Sequence, residues 1–134
     1  MTRVVVVDDN GEVRSLVAAV LGSSGCDVAD VRDAASVVGL AAERPVDLLV
    51  TDVSLGDRSG FLLAREIRGM WPDVAVLYMS GHDVAELARI AAEDGLSLPV
   101  PGPADAYLRK PFGLADLRAA VGRLLANGQA ADEL

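Results

Sequence analysis

The chain has 134 residues, carries a formal net charge of -8 and is 51% hydrophobic but only 4% aromatic. That length suits one domain with a core of its own, built from Val, Leu, Ala and Ile rather than from rings. The acidic balance argues against a direct grip on nucleic acid, which needs a basic face to displace counterions, and no apolar stretch approaches the ~20 residues of a membrane helix.

Cys26 is the single cysteine, which excludes an intramolecular disulfide and makes a reducing cytoplasm the expected home. Met1 leads through Thr2 and Arg3 into a strand-like run, so no signal peptide is expected. Of the twelve basic residues eleven are Arg and one, Lys110, is Lys. A chain that uses arginine almost everywhere raises the question of what an amine supplies at that position.

In chain order, Val4–Val7 is a β-branched run that reads as a first strand. Asn10 can cap a helix whose apolar positions Val13, Leu16, Val17, Val20 and Leu21 follow the helical period. Gly25 stops it, and Cys26–Val31 reads as a second strand. Asp33 caps a short helix carrying Val37, Val38 and Ala41, which ends before Pro45. The third strand, Val46–Thr51, runs straight to Asp52. A loop, Val53–Gly60, leads to a helix with Leu63, Ile67, Met70 and Trp71 on one side, broken by Pro72.

Val74–Met79 is wholly apolar, as expected of a central strand buried on both faces. Asp83 opens a helix with Val84, Leu87, Ala88, Ala91 and Ala92 in phase, and Gly95 closes it. After a proline-bearing loop, Leu96–Pro103, Ala106–Leu108 is a weak last strand. The final helix carries Leu114, Leu117, Val121, Leu124 and Leu125. From Asn127 the chain turns polar and small, so the expected division is one domain over 1–126 and a flexible tail over 127–134.

Five strands alternating with five helices predict an α/β fold, a doubly wound parallel sheet with right-handed crossovers. Such sheets bind ligands at the carboxyl ends of their strands. Four of the five strands end there in reactive or charged side chains: Asp8 and Asp9, Asp52, Ser80, and Lys110 with Pro111. Each has an ordinary reading by itself. Asp8-Asp9-Asn10 can be a capped loop, Ser80-Gly81 a strand exit and Lys110-Pro111 a turn. Their coincidence on one rim is what points to a site.

Three carboxylates brought together repel, and their pKa values rise unless a cation joins them. All-oxygen ligation by few protein groups suits Mg²⁺, which keeps several waters and accepts phosphate oxygens. One carboxylate can then act as nucleophile toward a phosphoryl group, while a lysine ammonium and a serine hydroxyl hold its oxygens. Phosphoryl transfer asks mainly for positioning and charge stabilisation.

The segments VVVVDDN, LLVTDVSLGDRSG, VLYMSG and YLRKPF together resemble the receiver domains of response regulators in two-component signal transduction, and the likeness runs from residue 4 to residue 112. It implies a flavodoxin-like sheet with strand order 2-1-3-4-5. It also implies that Asp52 is the phosphoacceptor, Asp9 a direct Mg²⁺ ligand, Asp8 its partner through water, and Ser54 the donor of a backbone carbonyl to the metal. Ser80 and Lys110 match the residues that hold phosphoryl oxygens. Tyr107 matches an aromatic that swings inward on activation, with a half-buried edge-strand aromatic as the other reading. The Lys110–Pro111 bond is expected to be cis.

The chain departs from the family pattern in places. Gly56 stands four residues past Asp52, where a proline is usual, which leaves the loop's stiffness and hence metal affinity in question. Ser54 and His82 occupy positions that tune hydrolysis in the family; His82, the single histidine, reads as a loop residue. Ser80 and Lys110 are further apart than usual, and the excess falls in Gly95–Pro103, beside the surface through which receivers address their partners.

The function expected is therefore a phosphorylation-dependent switch that takes phosphate from a sensor histidine kinase or histidine phosphotransfer protein and then engages a downstream protein, as a monomer or a phosphorylation-dependent dimer. Its wording is closest to receivers of hybrid sensor kinases. Slow self-phosphorylation and self-dephosphorylation are expected, and an enzyme is not. The alternatives are a degenerate receiver that only binds proteins and an aspartate-nucleophile phosphatase. The phosphatase needs an acid two residues past its nucleophile, where this chain has Ser54.

Overall fold

The computed structural model describes residues 1–97 and 104–133, with residues 127–133 described as backbone only. The elements alternate strictly: β1 (Arg3–Val7), α1 (Gly11–Ser23), β2 (Asp27–Val31), α2 (Ala34–Glu43), β3 (Leu48–Asp52), α3 (Gly60–Met70), β4 (Ala75–Ser80), α4 (Val84–Glu93), β5 (Asp105–Arg109) and α5 (Leu114–Glu133). All pairings are parallel, and the sheet order is β2-β1-β3-β4-β5. This is the flavodoxin-like arrangement that the resemblance implies.

The apolar runs split between two cores because successive strand residues face opposite sides. Val5, Val7, Leu49, Val76 and Tyr78 pack toward α2, α3 and α4, where Val37, Phe61, Leu63, Ile67, Leu87 and Ala91 meet them. Val4, Val6, Leu48, Val50, Leu77 and Met79 pack toward α1 and α5, against Val17, Leu21, Leu117, Val121 and Leu124. A strand covered on both faces needs no polar alternation, which is why β1 and β4 are buried throughout. Each fully buried Val or Leu contributes roughly 1.5–3 kcal/mol of transfer free energy.

Helix starts follow the sequence reading. Asn10 accepts from the N–H groups of Glu12 and Val13, and Asp33 from that of Ser36. Asp83 and Glu86 form a capping box, each side chain accepting from the other's backbone N–H. α3 ends at Met70, with Trp71 as its cap and the indole Nε1 donating to the Ala41 carbonyl at 2.8 Å.

One expectation needs correction. The buried face of α4 is narrower than the phase suggests: Leu87 and Ala91 are buried, whereas Val84 is 72% exposed and Ala88 and Ala92 are also exposed. An alanine-rich helix presents little hydrophobic contrast, so packing rather than pattern sets its rotation. The backbone of α5 runs on as helix through Glu133. Ala126, Ala130 and Ala131 favour helix enough to carry it across Gly128. Of the Gly95–Pro103 insert, residues 98–103 lie outside the described residues.

Arg68 fixes the beginnings of β4 and β5. Its guanidinium donates to the carbonyls of Val74 and Ala104 and pairs with Asp105 at 2.8 Å. β5 is therefore held at the level its neighbours require, which sets the height of the residues at its far end.

Candidate functional site

The central strands end on one level. Asp52 pairs with Met79 and Ser80 with Arg109 in the sheet register. Past the last rungs, the Val53 N–H donates to the Met79 carbonyl at 3.0 Å and the Lys110 N–H to the Ser80 carbonyl at 2.8 Å. The side chains that follow β1, β3 and β5 consequently meet.

Asp8, Asp9 and Asp52 each place a carboxylate oxygen within 4.8 Å of the others. Asp8 is fully buried, Asp52 half-buried and Asp9 exposed. Lys110 Nζ sits 2.8 Å from Asp8 Oδ2 and 3.4 Å from Asp52 Oδ2. The second oxygen of Asp8 accepts from the Asn10 N–H, and that of Asp52 from the Ser54 N–H at 3.3 Å. Three carboxylates against one ammonium leave an excess of negative charge on a partly open rim.

Burial pushes the Asp52 carboxyl up, the ammonium of Lys110 pulls it down and the charge of Asp8 raises it again; the balance is upward. Burial pulls the other way on Lys110, but the hydrogen bond to Asp8 and the charge of Asp52 carry it above its ordinary value. The lone lysine is thus held as a cation by the acids around it. This geometry suits a divalent cation: hard oxygen donors, one open side and excess negative charge.

Ser80 is buried, and its Oγ accepts from the His82 N–H at 2.9 Å. His82 Nδ1 lies 3.0 Å from Glu86 Oε2. Tyr107 is half-buried, stacked on Tyr78 with ring centroids 5.1 Å apart and facing Phe61 at 6.5 Å. The Lys110–Pro111 peptide bond is cis. The structure therefore brings Asp8, Asp9, Asp52 and Lys110 together, adds Ser54 through its N–H, and places Tyr107 in an aromatic cluster.

Gly60 was not singled out from the sequence. A Cβ there would lie 2.3 Å from the Asp52 carbonyl oxygen and 3.0 Å from Thr51 Oγ1, so the first turn of α3 can approach the acceptor strand only without a side chain. A glycine opening a helix directly after its Ser59 cap was the available signal. Arg14 was missed as well; it donates to the Asp8 carbonyl at 2.8 Å and pairs with Asp30.

The sequence matches the family model described as the response regulator receiver domain over residues 4–122. The chain belongs to this family. It is 35% identical over 123 residues to the DNA-binding transcriptional regulator NtrC of Rhizobium meliloti, covering 92% of this chain and 24% of that protein. It is 30% identical over 122 residues to the aerobic respiration control protein ArcA of Escherichia coli, covering 91% and 48%.

A response regulator receiver domain protein from Clostridium thermocellum superposes with a TM-score of 0.77 at 23% identity, covering 98% and 99% of the two chains. The receiver domain of NtrX from Brucella abortus does so at 0.73 and 29%, covering 92% and 98%. The receiver thus spans a quarter to a half of the two full-length relatives named. Receiver domains are signalling modules of two-component systems. Among the described residues no helix is long and apolar enough to cross a membrane.

Proposed function

We propose that this receiver is a switch phosphorylated on Asp52 by a phosphohistidine donor, either a sensor histidine kinase or a histidine phosphotransfer protein. The convergence of Asp8, Asp9 and Asp52, with the Lys110 ammonium paired to Asp8 and Asp52, supports this reading most strongly. A carboxylate oxygen of Asp52 attacks phosphorus, the bond from phosphorus to the donor imidazole breaks, and an acyl phosphate remains on Asp52.

Asp8, Asp9 and Asp52, with the Ser54 carbonyl, are the groups that would hold Mg²⁺. When bound, Mg²⁺ supplies positive charge that offsets the charge developing on the phosphoryl oxygens. Lys110, already aimed at Asp52, pairs with one of those oxygens, and the Ser80 hydroxyl donates to another. Ser80 and Tyr107 then shift, and the face formed by α4, β5 and α5 changes its protein partner. The unit that carries this activity is residues 1–126, cytoplasmic, working as a monomer or a phosphorylation-dependent dimer. The DNA binding of NtrC belongs to that longer protein and is not carried over to this acidic module.

The test is intact mass after incubation with Mg²⁺ and acetyl phosphate. A gain of one phosphate in wild type, absent in Asp52→Asn and absent without Mg²⁺, is the expected result. Equal gain in Asp52→Asn would overturn the assignment.

A further inference from the structure

The loop between Asp52 and α3 is pinned at both ends. Near its start, the Ser54 N–H donates to Asp52 Oδ1. Within it, Ser54 and Ser59 form an antiparallel bridge, the Leu55 N–H donates to the Arg58 carbonyl at 3.1 Å, and the Gly60 N–H donates to the Val53 carbonyl at 2.7 Å. At its far end, the Ser59 N–H donates to Asp94 Oδ2 at 2.7 Å, across 35 residues of sequence. Ser59 is the buried N-cap of α3, and Asp94 is the C-cap of α4.

Asp94 is not there for the good of α4. A carboxylate at a helix C-terminus faces the negative end of the dipole, and no basic residue stands in the last turn of α4 to offset it. What offsets it is the Ser59 hydroxyl, then the Ser59 N–H and the charge of Arg58, all on the loop that follows Asp52. α4 buries Leu87 and Ala91, with Ile90 and Leu96 packed partly against the core, and the charged hydrogen bonds from Ser59 to Asp94 add a polar tie at its C-terminal end.

We propose that Asp94 is a positioning residue that ties α4 to the loop after Asp52, giving phosphorylation of Asp52 a route to α4 that does not pass through Ser80 and Tyr107. The inference rests on the reading of Asp52 as phosphoacceptor. A phosphoryl group adds charge and acceptor oxygens where the Ser54 N–H now meets a carboxylate. The bridged loop moves as a unit, so a shift at Ser54 reaches Ser59, and through Asp94 the end of α4. Continuity of hydrogen bonds is the structural ground; the energetic coupling is what the experiment measures.

The experiment is hydrogen exchange of the α4 amides in the full chain, for wild type, Asp94→Ala and Asp94→Asn. Each is measured with and without acetyl phosphate and Mg²⁺, and phosphate occupancy is read by intact mass on the same samples. Alanine is the better helix former and removes the unfavourable charge, so helix propensity alone predicts slower exchange in Asp94→Ala. The proposal predicts the opposite: exchange about fivefold faster or more in the unphosphorylated Ala variant, and a response to phosphorylation reduced to half of wild type or less. Asparagine keeps an acceptor oxygen and stays close to wild type. Unchanged α4 exchange and an unchanged response in Asp94→Ala, with phosphate uptake intact, overturns the proposal. So does an Asp94→Asn variant that behaves like Asp94→Ala, since charge rather than the hydrogen bond would then be the cause. No uptake in wild type overturns the phosphoacceptor reading itself.

Discussion

Lys110 Nζ lies 2.8 Å from an oxygen of Asp8, a carboxylate with no solvent exposure, at a separation of 102 residues in sequence. Of the three acids, Asp8 depends most on this partner, because it has no water to turn to. Removing one member of a buried pair costs several kcal/mol when both are dry. Lys110 is 23% exposed, so the expected cost of Lys110→Met is smaller, about 2 kcal/mol. Urea denaturation in metal-free buffer measures it, and a loss under about 0.5 kcal/mol would show that Asp8 has found another partner.

If the acidic cluster takes Mg²⁺, the metal stabilises the folded state by linkage. At a hundredfold excess over Kd the gain is about 2.7 kcal/mol. Wild type should therefore melt higher in Mg²⁺ than in EDTA, and Asp9→Asn should lose most of that rise while melting normally in EDTA, since Asp9 is exposed. An Asp9→Asn variant with the full Mg²⁺ response would remove Asp9 from the ligand set.

Gly60→Ala tests how closely α3 is seated on the acceptor strand. A methyl group 2.3 Å from the Asp52 carbonyl oxygen cannot be accommodated by a side-chain turn, because the obstacle is backbone. We expect a loss of about 3 kcal/mol, at the upper end for overpacking, together with slower phosphate uptake as the acceptor loop shifts. Gly69→Ala, in the same helix with open space around it, should not destabilise and serves as the control.

The carboxyls of Asp33 and Asp94 sit below their ordinary range. For Asp33 the causes are the Ser36 hydroxyl, then the Ser36 N–H and Arg32; for Asp94 they are the Ser59 hydroxyl, then the Ser59 N–H and Arg58. A folded pKa lowered below the unfolded value gives stability that is present above the unfolded value of about 3.9 and lost as pH falls through the folded one. Thermal melts from pH 7 to pH 3 should fall less steeply below pH 4 for Asp94→Asn than for wild type. Parallel curves would mean that Asp94 keeps its proton balance on unfolding.

The sheet and its chemical rim were readable because each rests on local contrast. Val4–Val7 and Val74–Met79 are apolar without interruption and end at Asp8 and Ser80, while Asp52 and Lys110 follow mostly apolar runs closed by Thr51 and Arg109. Burial on both faces and exit at the carboxyl rim follow from topology alone. The rotation of α4 was not readable, since Ala88, Ala91 and Ala92 are the same residue and only packing separates the buried one from the exposed ones. Arg68 on Asp105 and Ser59 on Asp94 join residues 37 and 35 positions apart and have no local signature. Gly60 looked like a helix start; that it makes room for the Asp52 carbonyl appears only once α3 is laid on β3.

The central claim is that Asp52, among twenty acidic side chains, carries the phosphoryl group. The most direct test is to load the receiver with acetyl phosphate and Mg²⁺, reduce the acyl phosphate with borohydride, and map the resulting homoserine by peptide mass spectrometry. The account predicts homoserine at position 52 and none at Asp8 or Asp9. Homoserine at another position, with residue 52 left as aspartate, would contradict it.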